Sequence, residues 1–561
     1  HSYNNVFENC PNIEKVYFSP KLTTIPALFN GKTNLTTVIL GDSVKTIGGS
    51  AFAGCAQLSS INIPNTATTI EDYAFNGCAG LKDIKLPDSL RALGAYSFIG
   101  AGLESITIPN KLKTLRERTF ASCPNLKTVV LGDSLESIVA DYSATFYETP
   151  NITTVKFGKG MKEINNAFGG QANLTTVVLG DSITVIGNSA FNGCTALKSI
   201  NIPNTARTIG DYAFAGCAAL TNITLPDSLQ TLGGYAFSGA GLTNITIPNK
   251  VKELRERTFA SCPNLTTVVL GDSLKTIVSD YSGAFRDTPN ITSVTFGDGI
   301  EEINSAFSGQ AKLTKVILGK KVKTIGNNAF SGCTSLASFS FPETITNLGT
   351  SAFNGAGLRT LTLPSKLTQI PEMAFYNCDS LRSIILGKQI TQIANNAFGE
   401  CDSIREVTVD NTIPEIINIA SSFANMRKIS FGVSVTEIPD NLLSNKSKLQ
   451  EIVLGENVTK IGRSAFSSTA LRSFTFPAKV TTIGEEVFNT CTQLKKVKFN
   501  TVLTEIPSNT FNNCTALDSI GLPNSIRKIG ARAFNGCDSL RKVLLNAELT
   551  EISAYAFYNA G

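Results

Sequence analysis

Apolar residues recur along this chain in one fixed order, with polar and turn-forming residues in the gaps between them. The stretch from Leu35 to Leu58 shows the unit. Leu35, Val38 and Leu40 form Leu-x-x-Val-x-Leu, and Val38 and Leu40 have the two-residue spacing of a strand's inward face. Gly41-Asp42-Ser43 breaks that strand; other units use Pro64-Asn65-Thr66 or Pro87-Asp88-Ser89 in the same slot. These are turn formers: Pro fixes φ, Gly permits unusual φ, and Asp or Asn bonds its own backbone. Val44-Lys45-Thr46-Ile47 reads as a second short extended segment that Gly48 ends. Ser50-Ala51-Phe52 is then expected to open a single helical or 3-10 turn. Phe52 should plug the core, and Cys55 and Leu58 should lead into the next strand.

The phenylalanine position returns at 25 places from Phe7 to Phe557, mostly 22 or 23 residues apart, with Leu443 as a substitute at one of them. A fixed period of this size marks a solenoid, in which each unit buries its apolar face only against its neighbours. The predicted fold is an α/β repeat solenoid of about 25 coils, right-handed, with parallel strands on its concave face and short strands or single helical turns elsewhere. One continuous domain over residues 1–561 is expected. Function is then to be sought on faces rather than in a pocket.

A longer period lies on top of the short one. Phe191, Phe237 and Phe285 each follow Phe52, Phe98 and Phe146 by 139 residues, so block 34–172 recurs as block 173–311. A partial third copy covers 312–400, and the repeats of 401–561 diverge. Each full block carries one long turn, at 139–149 and 278–288. Extra residues in a solenoid map to one edge, where partners often touch, so Asp141, Tyr142, Asp280 and Tyr281 are candidate contact residues. The bland alternative is a surface bulge copied by the duplication.

Composition narrows the classes of function. The formal charge of +5 comes from 49 basic and 44 acidic residues. Spread over so large a surface this is nearly neutral, which argues against tracking a nucleic-acid backbone. No run of 18 apolar residues occurs, so no membrane-spanning helix is predicted. The N-terminus is polar and lacks the apolar core of a signal peptide. Both ends stop inside a repeat, which predicts that the natural protein continues past one or both of them.

Catalytic chemistry is hard to assemble from these residues. The one histidine is residue 1, so neither a Ser-His nor a Cys-His arrangement can be built. The 13 cysteines all fall three residues after the phenylalanine position, where other coils carry Ala, Thr or Gln. That points to a small buried residue and to free thiols rather than metal or disulfide chemistry. No cofactor and no metal are expected. Ten Asn-x-Ser/Thr triplets, such as Asn34, Asn151, Asn173 and Asn222, coincide with the repeat phrase and read as its by-products.

The surface that could bind is the row of residues flanking the second apolar strand position. It runs through Thr37 and Ile39, Thr128 and Val130, Thr176 and Val178, and onward. Threonine, serine and asparagine dominate this ladder, so a large partner would be held by many weak contacts. Lys85, Lys156, Lys315, Lys496 and Lys498 are its cationic interruptions and are further candidate contact residues. The alternatives left open are that these are simply good solvent-facing strand residues, and that the array is a structural stalk or coat that displays another domain.

The phrase Leu58-x-x-Ile61-x-Ile63-Pro64, followed by Ile70 and Ala74-Phe75-x-Gly77-Cys78, resembles the BspA-like leucine-rich repeats of bacterial and protist surface proteins. The resemblance covers essentially the whole chain. It implies a leucine-rich-repeat solenoid that is secreted or held at the cell surface, and an adhesin-type, non-enzymatic role. It also implies a protein partner, such as a host extracellular-matrix or cell-surface protein. A monomeric array is expected.

Overall fold

The inward residues of the strand phrase stack from coil to coil, and the backbone between them closes into parallel ladders. The computed structural model describes residues 6–139, 144–279, 282–410 and 423–561, in two compact units, His1–Ile300 and Glu301–Gly561. Each unit is a parallel-strand solenoid. In the first, Lys15–Tyr17, Thr37–Ile39 and Ser60–Asn62 pair in register, so that Val16, Val38 and Ile61 align. A second ladder joins Ser105–Thr107, Thr128–Val130, Thr154–Lys156 and Thr176–Val178. The two-residue second strands form their own ladders, as in Thr24–Ile25, Thr46–Ile47, Thr69–Ile70 and Ala92–Leu93. The second unit repeats the scheme; one ladder there runs through Thr360–Thr362, Ser383–Leu386, Glu406–Val409, Lys428–Phe431 and Glu451–Val453.

The phenylalanines form the spine. Phe52, Phe75 and Phe98 are fully buried and stack with ring centroids 5.6 and 5.1 Å apart. In the second unit Phe488, Phe511 and Phe534 stack at 5.3 Å for each pair. Each such pair adds about 0.5–1.5 kcal/mol beyond the area it buries. Leu443, the substitute, is equally buried.

The helical part of the predicted α/β repeat solenoid is nearly absent among the described residues. No α-helix occurs among the described residues, and the 3-10 helices there are Asn166–Phe168 and Ser305–Phe307. Backbone handedness explains the difference. In most coils the residues two before and two after the spine phenylalanine take left-handed φ, as at Tyr73 (59°) and Gly77 (70°) around Phe75, and at Asn509 (57°) and Asn513 (58°) around Phe511. A left-handed residue on each side cannot continue a right-handed helix, so the chain makes consecutive turns. The two 3-10 turns fall where the leading residue, Asn166 or Ser305, is not left-handed.

A second correction concerns the first-strand ladder, which lapses at 83–85, 199–201, 222–224 and 338–340. Lys85 therefore lies outside any strand. The in–out alternation survives there, with Ile84 and Leu86 buried and Lys85 exposed, because side-chain packing sets the alternation and ladder bonds are not needed for it. Gly94 shows how closely coils approach: a Cβ there would lie 2.3 Å from the Asp72 nitrogen. That contact explains the Ile-Gly or Leu-Gly step after many second strands.

Candidate functional site

Outward positions of the first strands form the candidate surface. In Thr37–Ile39 the pattern is half-buried, buried, exposed, and in Thr176–Val178 it is exposed, buried, exposed. Register then lines up Tyr17, Ile39 and Asn62 across one ladder, and Val130, Lys156 and Val178 across another. In the second unit the corresponding row is Thr362, Ile385, Thr408, Ser430 and Val453. Val178 is 48 % exposed and Ile385 49 %, so apolar side chains stand in solvent at intervals along a hydroxyl-rich sheet.

The predicted lysines sit on this face but do not all fall in one cluster. Lys85 and Lys156 are exposed in the first unit, three coils apart, or roughly 14 Å along the stack. Lys315, Lys496 and Lys498 are exposed in the second unit, the last two on one strand, Lys496–Phe499. Asp141, Tyr142, Asp280 and Tyr281 lie outside the described residues. The described flank of the first long turn is anchored: Thr145 is buried, and its hydroxyl donates to the Arg116 carbonyl at 2.8 Å. Beside it the Arg118 guanidinium lies 4.7 Å over the Tyr147 ring, within the range of a cation–π contact.

Three features escaped the repeat pattern. The first is a set of Asn and Asp rungs after the second strands. Asp72 accepts the Ala95 N–H, Asn188 that of Asp211, Asp211 that of Gly234 and Asn327 that of Thr350, each at 2.8 Å. The second is a pair of tyrosine stacks, exposed Tyr73 on half-buried Tyr96 at 4.8 Å and exposed Tyr212 on half-buried Tyr235 at 4.6 Å. All four stand two residues before a spine phenylalanine, which was the signal available in sequence.

The third concerns the cysteines. All 13 are free and all except Cys10 are buried. Burial is not their whole role. Cys55 donates its S–H to the Phe29 carbonyl at 3.0 Å, Cys123 to Phe98 at 3.1 Å, and Cys537 to Phe511 at 3.2 Å. A cysteine therefore ties its coil to the spine residue of the coil before. Burial pushes the Cys55 thiol up to about 11, and those of Cys123, Cys194, Cys262 and Cys333 to about 12, so they stay protonated and unreactive near neutrality.

Several asparagines of the Asn-x-Ser/Thr triplets have a structural job as well. The side-chain amides of Asn151 and Asn173 donate to the carbonyls of Pro124 and Pro150 at 2.8 and 3.0 Å. Among the described residues no group of three or more His, Cys, Asp or Glu could hold a metal ion. No helix there is long and apolar enough to cross a membrane.

No curated protein matches the chain. Among solved structures, a leucine-rich repeat protein from Bacteroides ovatus is 23 % identical, covering 78 % of this chain and 86 % of its own, with a TM-score of 0.31. One from Eubacterium ventriosum is 24 % identical over 66 % of this chain and 90 % of its own, with a TM-score of 0.27. A leucine rich cell surface protein from Faecalibacterium prausnitzii is 20 % identical over 79 % of each chain, with a TM-score of 0.19. The family pattern described as the BspA type leucine rich repeat region (6 copies) matches residues 1–59, 45–168, 165–281, 281–382, 304–430, 368–495 and 461–561. Those matches overlap from end to end, over the same coils whose strands, spine and turns are described above. The chain belongs to the BspA-type leucine-rich-repeat family, whose repeats are generally protein-interaction modules.

Proposed function

We propose that this chain is a non-enzymatic protein-binding module of a cell-surface or secreted protein. It holds a large partner, such as an extracellular-matrix or host-surface protein, through the first-strand face and the edge turns. The observation that carries the reading is the outward row itself. Hydroxyl and amide side chains with isolated exposed apolar residues, Val178, Ile385 and Val453 among them, stand in register on successive strands. Such a surface suits a large partner. It gains affinity by summing weak contacts, and the duplicated blocks 34–172 and 173–311 multiply them.

The test is a panel of immobilised extracellular-matrix and cell-surface proteins probed with the full chain and with a Thr154→Glu, Val178→Glu variant. Saturable binding to a panel member, weakened in the variant at unchanged melting temperature, supports the module. A folded, monodisperse chain that binds nothing in the panel moves the assignment to a stalk or coat array.

A further inference from the structure

Several charges on this solenoid are paired between neighbouring coils. In the last coils of the second unit Arg463 pairs with Glu486 at 3.1 Å, Arg527 with Glu548 at 3.4 Å and Lys528 with Glu551 at 3.3 Å, all off the first-strand face. The first-strand face of those same coils differs. Arg472, Lys495, Lys496, Lys498, Arg541 and Lys542 are exposed, and none of the six has an ion-pair partner among the described residues. Register places Lys496 beside Ser473 and Lys498 beside Thr475, and Lys542 beside Ser519. Lys496 and Lys542 are two coils apart, roughly 10 Å along the stack. Asp518 is the one acid in the strip, and its carboxylate accepts the Ser519 hydroxyl at 2.8 Å.

An apolar element sits inside this cationic strip. Leu544 occupies the outward position that Lys498 holds two coils earlier, and it is 56 % exposed. Its register partner is Gly521, above which the nearest heavy atom to an added Cβ would be Leu544 Cδ1, at 3.9 Å. The floor is thus notched between Lys498 and Leu544, and the notch has an apolar wall.

Resting on the reading of the chain as a protein-binding module, we propose that this strip is the docking site for an acidic segment of the partner that also carries apolar side chains. Unpaired cations supply attraction for carboxylates and steer the encounter. The Gly521 notch takes an apolar side chain against Leu544. A sulfated polysaccharide would satisfy the cations and leave Leu544 unused, so the combination selects a peptide.

The test uses the full chain and three fluorescent or competing probes: a labelled 16-residue peptide of alternating Glu and Leu, an oligo-Glu peptide of equal charge, and a heparin oligosaccharide. The Glu/Leu peptide should bind best, and its affinity should fall with added salt. Lys495→Glu, Lys496→Glu and Lys498→Glu together should weaken it by about tenfold or more. Leu544→Ser should weaken the Glu/Leu peptide and leave oligo-Glu unchanged. Circular dichroism and melting of each variant separate lost folding from lost binding. Heparin binding more tightly than the peptide, or indifference to Leu544→Ser, overturns the inference. Binding of a panel protein without peptide binding overturns it while leaving the module standing. Failure of both removes the module as well.

Discussion

The Asp211 carboxylate takes the backbone N–H of Gly234, one coil further on, at 2.8 Å, while its own backbone N–H is taken by Asn188 from the coil before. In these coils one side chain thereby adds a bond between coils just beyond the paired second strands. Asp211→Ala should destabilise the first unit by about 1 kcal/mol, since it leaves the Gly234 N–H unpaired. Asp211→Asn keeps an acceptor oxygen and should cost much less. Thermal melting of the two variants compares them directly.

Truncating the spine is expected to be far more damaging. Phe214 is fully buried and stacks on Phe191 at 5.6 Å and Phe237 at 5.3 Å. Phe214→Ala should cost about 3–5 kcal/mol. Because each coil leans on its neighbours, the loss should appear first as faster amide exchange in the coils next to residue 214. Uniform loosening of the whole first unit would contradict nearest-neighbour packing.

The thiols give a chemical reading of the same core. Twelve of the 13 are buried and Cys10 is exposed, so one fast-reacting thiol is expected from the native chain and thirteen after denaturation. A thiol-specific reagent counts them.

Burial also predicts how stability depends on alkali. Burial in the folded chain pushes the Cys123, Cys194 and Cys262 thiols from 9.0 up to about 12. Unfolded thiols lose their protons first as pH rises, so the unfolded state binds fewer protons over that interval and stability falls. The contribution is intact below about pH 9 and disappears progressively toward pH 12. Replacing two or three of these cysteines by alanine, as at Ala101 or Ala240 in other coils, should flatten the slope between those limits in alkaline melting curves.

Much of this was legible in sequence because the core repeats. The inward alternation of Val38 and Leu40, the buried spine from Phe52 onward and the outward row of Thr37 and Ile39 all follow from period and spacing. What was not legible depends on backbone handedness and on bonds between coils. The Ser50-Ala51-Phe52 step looked helical, yet left-handed φ at Ser50 turns it into successive bends. Cys55 looked like a size-selected residue, and its bond to the Phe29 carbonyl required the neighbouring coil to be in place. The Asp72 and Asp211 rungs were hidden for the same reason: their partners are 23 residues away. On the candidate surface, sequence placed Lys156, Lys496 and Lys498 correctly facing outward, but it could not show which charges are cancelled by neighbours and which stand alone.

The most direct test of the binding face is hydroxyl-radical footprinting of the full chain with a protein captured from the panel. Two sets of exposed side chains report on two faces. Val178, Ile385 and Val453 stand on the first strands, and Tyr73 and Tyr212 stand in the turns beside the spine. Partner binding through the first-strand face should protect the first set and leave the tyrosines as reactive as in the free chain. Protection of Tyr73 and Tyr212 with unchanged oxidation of Val178, Ile385 and Val453 would contradict it.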